Sequence, residues 1–286
     1  MILLTGATGK TGAAAAEFLL KENVPLRALV RDEERAAPLA ESGVDLEVGD
    51  IADPDILKRA FRDVERAALI CANSRHQLEH ETQFVDLARA AGVKHVVKLS
   101  SMEAVPDNRG AIAQIHVQSE AHLKKSSLAW TMVRPNFFMQ NLLASAPTIK
   151  EQQAFYLPMG TGQTGMIDVR DIGAVICRAL TRSGHEEKSY DLTGPALLSF
   201  QDVADTFSDA LGTRIAYVDQ PMDDYRAFLS QFLKDEWQLD AVCELFAGIA
   251  KGKSAQVTDT VGELLDRAPI DLKTFINDHR LAFQPS

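Results

Sequence analysis

Residues 1–21 read MILLTGATGKTGAAAAEFLLK. A short apolar run at 2–4 is followed by three evenly spaced glycines, Gly6, Gly9 and Gly12, and then by strong helix formers at 13–21. A strand, a glycine-rich turn and a helix make a phosphate cradle. Small residues let backbone N–H groups approach the anion, and the helix N-terminus adds a favourable dipole. On this reading Gly6, Thr8, Gly9, Lys10, Thr11 and Gly12 face a nucleotide, with Lys10 adding positive charge. The spacing is G-x-x-G-x-x-G rather than the dinucleotide fingerprint G-x-G-x-x-G, so a turn that uses glycine only for backbone freedom stays open.

Outward from this turn, short apolar runs alternate with helical patterns. Strands are expected at 2–4, 26–30, 46–48, 67–71, 95–99 and 130–133, and helices at 13–21, 32–42, 54–61, 79–91 and 114–125. Strict alternation implies crossover units and a doubly wound parallel α/β sheet. After Pro135 the rhythm loosens. A helix is expected at 136–151, a strand at 166–169, a helix at 171–180 capped by Asp171, a strand at 189–192, a helix at 200–211 and a strand at 215–218, with a mainly helical remainder. We assign 1–135 to a nucleotide-binding domain completed by about 165–193. Residues 136–164 and 194–286 form a smaller, interleaved, mainly helical substrate lobe.

The chain has 286 residues, 46% of them hydrophobic and 24% charged, with a formal net charge of -10. That balance argues against contact with a nucleic-acid backbone, which needs clustered Lys and Arg. Cys71, Cys177 and Cys243 show neither metal-ligand spacing nor a disulfide framework, which suits a reducing compartment. The first apolar run is a poor signal peptide, and no stretch approaches the roughly 18 apolar residues of a membrane span. The expectation is a cytoplasmic monomer or homodimer with no membrane or nucleic-acid partner.

The ends of the strands carry further signals, because ligands in such sheets lie beyond the strands' carboxyl ends. An NAD site has an acidic residue about 20 residues past the glycines, for the ribose 2′-hydroxyl. Here Arg31 stands nineteen positions after Gly12. A guanidinium suits a 2′-phosphate, so NADP(H) is expected over NAD(H). The alternative is a solvated loop charge paired with Asp32 or Glu34. Asp50 and Ile51 follow the third strand, where a carboxylate can accept from an adenine amino group; Asp50, or Asp53 nearby, can equally cap the next helix. Cys71, Ala72, Asn73 and Ser74 follow the fourth strand and Leu99 ends the fifth, all beside the expected cofactor.

The stretches 5–12 (TGATGKTG), 49–50 (GD), 92–95 (GVKH), 99–101 (LSS), 134–141 (RPNFFMQN), 168–172 (DVRDI) and 193–195 (TGP) together resemble the NmrA-like family of atypical short-chain dehydrogenases/reductases. The resemblance spans nearly the whole chain and weakens after about residue 219. It implies a Rossmann-type fold. Members include NAD(P)H-dependent quinone and triphenylmethane-dye reductases, and regulators that sense nicotinamide nucleotides.

The wider superfamily uses Ser, Tyr and Lys, with the last two as Tyr-x-x-x-Lys. In the matching register this chain has His116 and Glu120. That departure disfavours ordinary carbonyl–alcohol chemistry, which needs a proton donor for the nascent alkoxide. Reduction of a quinone or dye is less demanding, since proximity and orientation supply most of the rate. His116 either meets a substrate oxygen, tuned by Glu120 one turn away, or forms a packing i,i+4 pair with it. Ser100 and Ser101 either take the serine's place or merely end the strand. Lys124 and Lys125 are expected to face elsewhere. Asn136, Phe137, Phe138 and Met139 follow the sixth strand at the mouth of the expected cleft, an apolar wall with one amide that suits a flat aromatic or quinone-like substrate. The alternative is that Phe137 and Phe138 are core. His76, His80, His122 and His185 lack ligand spacing and are expected at the surface.

Two functions fit these readings: an NADPH-dependent reductase of conjugated acceptors, and a nicotinamide-nucleotide sensor with little catalysis. A reductase of an imine or enone is a third.

Overall fold

A computed structural model of the protein describes residues 1–284. The first half contains β1 (Ile2–Thr5), α1 (Lys10–Lys21), β2 (Leu26–Val30), α2 (Glu33–Glu41), β3 (Asp45–Val48), α3 (Pro54–Ala60), β4 (Arg66–Leu69), α4 (Gln77–Ala90), β5 (His95–Leu99), α5 (Ala111–Lys125) and β6 (Ala129–Pro135). A 3-10 segment (Met139–Ser145), α6 (Ala146–Gln152), β7 (Ala154–Leu157), β8 (Gln163–Thr164), α7 (Val169–Thr181), β9 (Lys188–Leu192) and β10 (Leu198–Ser199) follow. The chain continues with α8 (Phe200–Leu211), β11 (Ala216–Asp219), α9 (Met222–Leu229), α10 (Glu236–Ala250), α11 (Thr260–Leu265), α12 (Leu272–Asp278) and α13 (Arg280–Phe283).

Seven strands form one sheet in the order β3-β2-β1-β4-β5-β6-β9. The pairs from β3 through to β6 all run parallel. The order reverses between β1 and β4, which makes this the Rossmann-type doubly wound sheet expected from the alternation and sets the switch point beside the glycine turn. Local chemistry explains where the helices begin. Asp32 caps α2 by accepting from the Arg35 N–H, and Asp53 caps α3 with Pro54 in its first turn. Ser199 and Asp202 form a capping box at α8.

Internal contacts divide the chain into two compact units. The first is 1–108, 113–134 and 169–191; the second is 109–112, 135–168 and 192–286. Residues 165–168, expected to complete the nucleotide-binding domain, therefore belong to the second unit. In the first unit, Leu3, Leu57, Phe61, Phe84, Val96, Leu123 and Met132 share one core, with the Phe61 and Phe84 rings edge-on at 4.9 Å. In the same unit α1 and α7 pack backbone to backbone: a Cβ on Gly173 would lie 2.6 Å from the Ala14 carbonyl carbon. The second unit is mainly helical, with two small two-stranded sheets, β7 with β11 and β8 with β10. Its core gathers Phe137, Met139, Phe155, Phe200, Phe207, Phe246, Phe275 and Phe283.

Three expectations after Pro135 are corrected. The helix at 136–151 is instead the 3-10 segment and then α6, because Pro147 is accepted only in a helix's first turn and so restarts it. The strand at 166–169 reduces to a single bridge between Ile167 and Phe138. Asp171 lies within the first turn of α7, which begins at Val169, so it does not open that helix.

Candidate active site

The glycine turn is built by close approach. Gly6 has φ +64, and a Cβ there would sit 2.8 Å from the Ile70 carbonyl oxygen. A Cβ on Gly12 would sit 2.1 Å from the Gly6 carbonyl oxygen. That oxygen accepts from the Gly9 N–H at 2.9 Å. Gly9 is the N-cap of α1 and brings no side-chain acceptor, so no capping oxygen competes for the first-turn N–H groups. Thr11 and Gly12 are buried, Thr8 is half-buried, and Lys10 is exposed at the start of α1. Thr5 ties the turn to the sheet: its Oγ1 donates to Ile70 O at 2.9 Å and accepts from Ile70 N at 2.8 Å.

Arg31 is exposed just after β2 and makes no ion pair among the described residues. The Asp32 carboxylate is engaged with the Arg35 N–H at 3.0 Å. The pairing of Arg31 with Asp32 or Glu34, left open by the sequence, is thus not what forms. After β3, Asp53 caps α3, while Asp50 accepts from Ala52 N at 2.9 Å in its own turn. Ile51 is half-buried, with its carbonyl accepting from Gln83 Nε2. After β4, Cys71, Asn73 and Ser74 are half-buried and Ala72 is exposed. Burial first, and the Glu81 carboxylate second, push the Cys71 thiol up to about 12, so it stays protonated.

Beyond β5 the first unit holds a buried polar network that was only half visible in the sequence. Strand alternation puts Lys98 on the same side as Val96, facing α4 and α5, with its side chain 0% exposed. Its Nζ lies 2.9 Å from Glu81 Oε2 of α4, 3.1 Å from Glu81 Oε1, 3.0 Å from Leu99 O and 3.1 Å from His116 Nδ1 of α5. Gln77 Nε2 donates to Glu81 Oε1 as well, at 3.0 Å. An ammonium has three hydrogens and no lone pair. They match three acceptors here: the Glu81 carboxylate, the Leu99 carbonyl and His116 Nδ1.

Glu120 belongs to a second cluster. Ser100 Oγ donates to its Oε1 at 2.6 Å, Arg134 grips both carboxylate oxygens, and Lys124 Nζ stands 3.6 Å away. Burial works to raise the Glu120 pKa. The hydrogen bonds from Arg134 and Ser100 and the nearby positive charges outweigh it and hold the carboxyl below its usual value. His116 is shifted well below the usual histidine value, by burial first and then by the charges of Lys98 and Arg134.

These contacts correct three expectations. His116 and Glu120 are not partners, because Arg134 and Ser100 take the carboxylate while Lys98 takes the imidazole. Lys124 does not face elsewhere: it reaches Glu120 and lies over the Trp130 ring, 4.9 Å from its centroid. His185 is buried rather than at the surface, with Nδ1 2.9 Å from Tyr190 Oη. Ser101 is half-buried and accepts from Glu103 N at 3.2 Å in a turn. Lys98 and Glu81 were missed. The available signal was a lysine between Val97 and Leu99, two positions after Val96 in a buried strand.

In the second unit, Asn136 is braced on all sides. Its Nδ2 donates to Ser254 O at 3.0 Å, and its Oδ1 accepts from Phe137 N at 2.7 Å and from Thr164 Oγ1 at 2.8 Å. Phe137 contacts the Phe200 and Phe246 rings, each at 5.9 Å, and Met139 is 1% exposed. Both are core, the alternative held open for Phe137. Phe138 is half-buried.

No helix among the described residues is long and apolar enough to cross a membrane. The model of the NmrA-like family matches residues 1–275, and the chain belongs to that family. An NAD(P)H azoreductase of Xenophilus azovorans is 35% identical over 283 residues, covering 99% of each chain. An NADPH-dependent quinone oxidoreductase of Escherichia coli, solved with NADPH, superposes with a TM-score of 0.87 at 27% identity, over 98% of this chain and 100% of that one. A triphenylmethane reductase of Citrobacter sp., solved with NADP(H), superposes with a TM-score of 0.85 at 24% identity, over 97% of this chain and 99% of that one. Fold and family together define an oxidoreductase with an NAD(P)H-binding fold.

Proposed function

We propose that this oxidoreductase uses NADPH to reduce a flat conjugated acceptor, a quinone or an azo or triphenylmethane dye. The observation that carries the reading is the glycine turn. Side-chain carbon is excluded at Gly6 and Gly12 by neighbouring backbone, and α1 opens without a capping side chain. That arrangement fits a pyrophosphate, which the turn's N–H groups would hold. Arg31, exposed and without an ion pair, would take the 2′-phosphate and so favour NADPH over NADH.

When bound, the nicotinamide supplies a hydride; solvent supplies the proton that completes a quinol or a hydrazo product, and a cationic triphenylmethane dye needs none. The protein's part is orientation and hydrogen bonding. His116 is kept neutral by burial and by the Lys98 charge. With Nδ1 accepting from Lys98, the imidazole carries its hydrogen on Nε2 and offers it to a quinone oxygen or azo nitrogen as negative charge develops there. Ser100 points its O–H at Glu120, so it orders the strand end rather than acting as the donor.

The test is loss of reduced-nicotinamide absorbance with a panel of quinones, azo dyes and triphenylmethane dyes, with NADPH and NADH in parallel. Turnover that requires both protein and acceptor and is faster with NADPH supports the reading. NADPH binding with no turnover on any acceptor replaces it with the sensor.

A further inference from the structure

We propose that Lys98 and Glu81 form a positioning pair that sets the tautomer of His116, fixing the proton on Nε2. The inference deepens the proposed reduction and relies on His116 being its hydrogen-bond donor.

The pair is a costly feature for a fold to keep. Both side chains are 0% exposed, and two charges withdrawn from water contribute little net stability compared with apolar residues of the same size. The surrounding strand residues, Val96 and Val97, show what the position would otherwise hold. What the pair adds is direction. Nζ is fixed on three sides, by the Glu81 carboxylate, the Leu99 carbonyl and His116 Nδ1 at 3.1 Å. An ammonium can only donate, so Nδ1 must be the bare nitrogen. Glu81 holds Nζ in an ion pair at 2.9 Å, and Gln77 keeps Glu81 in place from one turn earlier on α4. Removing any one of these leaves the imidazole free to present a lone pair at Nε2, the wrong group for an acceptor gaining negative charge.

The ionisable groups around the ring divide by element. Lys98 comes from β5, Glu81 from α4, and Arg134 from β6, where Glu120 of α5 neutralises it. Within this set Lys98 alone bonds the imidazole.

The experiment is nitrogen NMR of the imidazole in the full-length protein, free of acceptor, together with steady-state kinetics. Wild type should show a neutral His116 with hydrogen on Nε2 from mildly acidic to neutral pH. In Lys98→Met the Nδ1 bond is gone and Glu81 is uncompensated, so His116 should protonate at higher pH. In Lys98→Met/Glu81→Gln both charges are gone, and the ring should stay neutral but populate both tautomers. Each variant should lose about ten- to a hundredfold in kcat, with the KM for NADPH within about twofold. The double variant also serves as the test if the single one fails to fold, because it leaves no unpaired buried charge. Wild-type His116 found with hydrogen on Nδ1, or protonated at neutral pH, overturns the proposal. So does either variant with an unchanged tautomer and pH–rate profile. The NMR result needs no acceptor, so absence of turnover in wild type would count against the reductase reading without bearing on the tautomer.

Discussion

Adding a single methyl group at Gly12 tests how the cradle is built. In Gly12→Ala the new carbon would lie 2.1 Å from the Gly6 carbonyl oxygen, 2.6 Å from the Gly6 carbonyl carbon and 2.9 Å from Ala7 Cα. All three are backbone atoms, so no rotamer can absorb the clash. Non-bonded carbon and oxygen settle at about 3.3 Å, so the turn must open by about 1 Å. The Gly6 oxygen also accepts from Gly9 N at 2.9 Å, a bond worth about 1 kcal/mol that opening would break. Overpacking adds about 1–3 kcal/mol. Alanine's better helix propensity returns about 1 kcal/mol, since Gly12 lies within α1. The net cost is about 2 kcal/mol, or a fall in Tm of about 4–8 °C for a chain of this size. The affinity for NADPH should fall more than about tenfold, because the displaced N–H groups are those that would meet the phosphates. Gly9→Ala is the internal control: its Cβ would be 3.3 Å from the same oxygen, and a shift of a few tenths of an ångström accommodates it, so its Tm should stay within about 2 °C. Thermal unfolding and an NADPH titration by nicotinamide fluorescence give both readouts. Wild-type Tm and affinity in Gly12→Ala, or a larger Tm loss in Gly9→Ala, would refute this account of the turn.

Two further outcomes follow from the site and the sheet. Arg31→Ala should raise the KM for NADPH about tenfold or more while leaving NADH little changed, because only the 2′-phosphate distinguishes the cofactors; equal effects on both would remove Arg31 from that role. His95 is buried, with Nε2 2.9 Å from Thr131 Oγ1, and burial lowers its pKa to about 4. The unfolded chain therefore takes up this proton first as pH falls. Stability from this group is full above about pH 6.5 and is lost on the way down to about pH 4, by about 3 kcal/mol at most. His95→Gln keeps a donor for Thr131 and should flatten that slope in urea-denaturation midpoints measured across the interval; an unchanged slope would assign the acid sensitivity elsewhere.

Much of the fold was legible because its signals are local. Apolar runs alternating with helix formers, and Asp or Ser placed where a helix begins, act over a few residues, so β1 to β6 and the helices between them could be read within a few residues of their bounds. After Pro135 the local signals weaken. Ile167 makes one bridge rather than a strand because its partner is Phe138, far back along the chain, and nothing in 166–169 shows that. Pro147 restarts a helix that its apolar pattern alone would have carried through.

The candidate site divides along the same line. Gly6, Gly9 and Gly12 fall within seven residues of each other, so their spacing and the flanking strand and helix already marked the turn as a candidate cradle, with a plain glycine turn left open, and Arg31 followed a recognisable strand. The amino-acid sequence by itself determined the alternation of strands and helices behind the sheet and the place of the glycine turn. The partners of the buried ionisable groups were settled only by tertiary structure. His116 and Glu120 sit at i,i+4, yet their bonds go to Lys98, 18 residues from His116, and to Ser100, 20 residues from Glu120. A buried charge pairs with whatever donor or acceptor the packing of strand and helix faces brings within about 3 Å, and that choice follows from how α4 and α5 lie on β5 rather than from spacing along either helix.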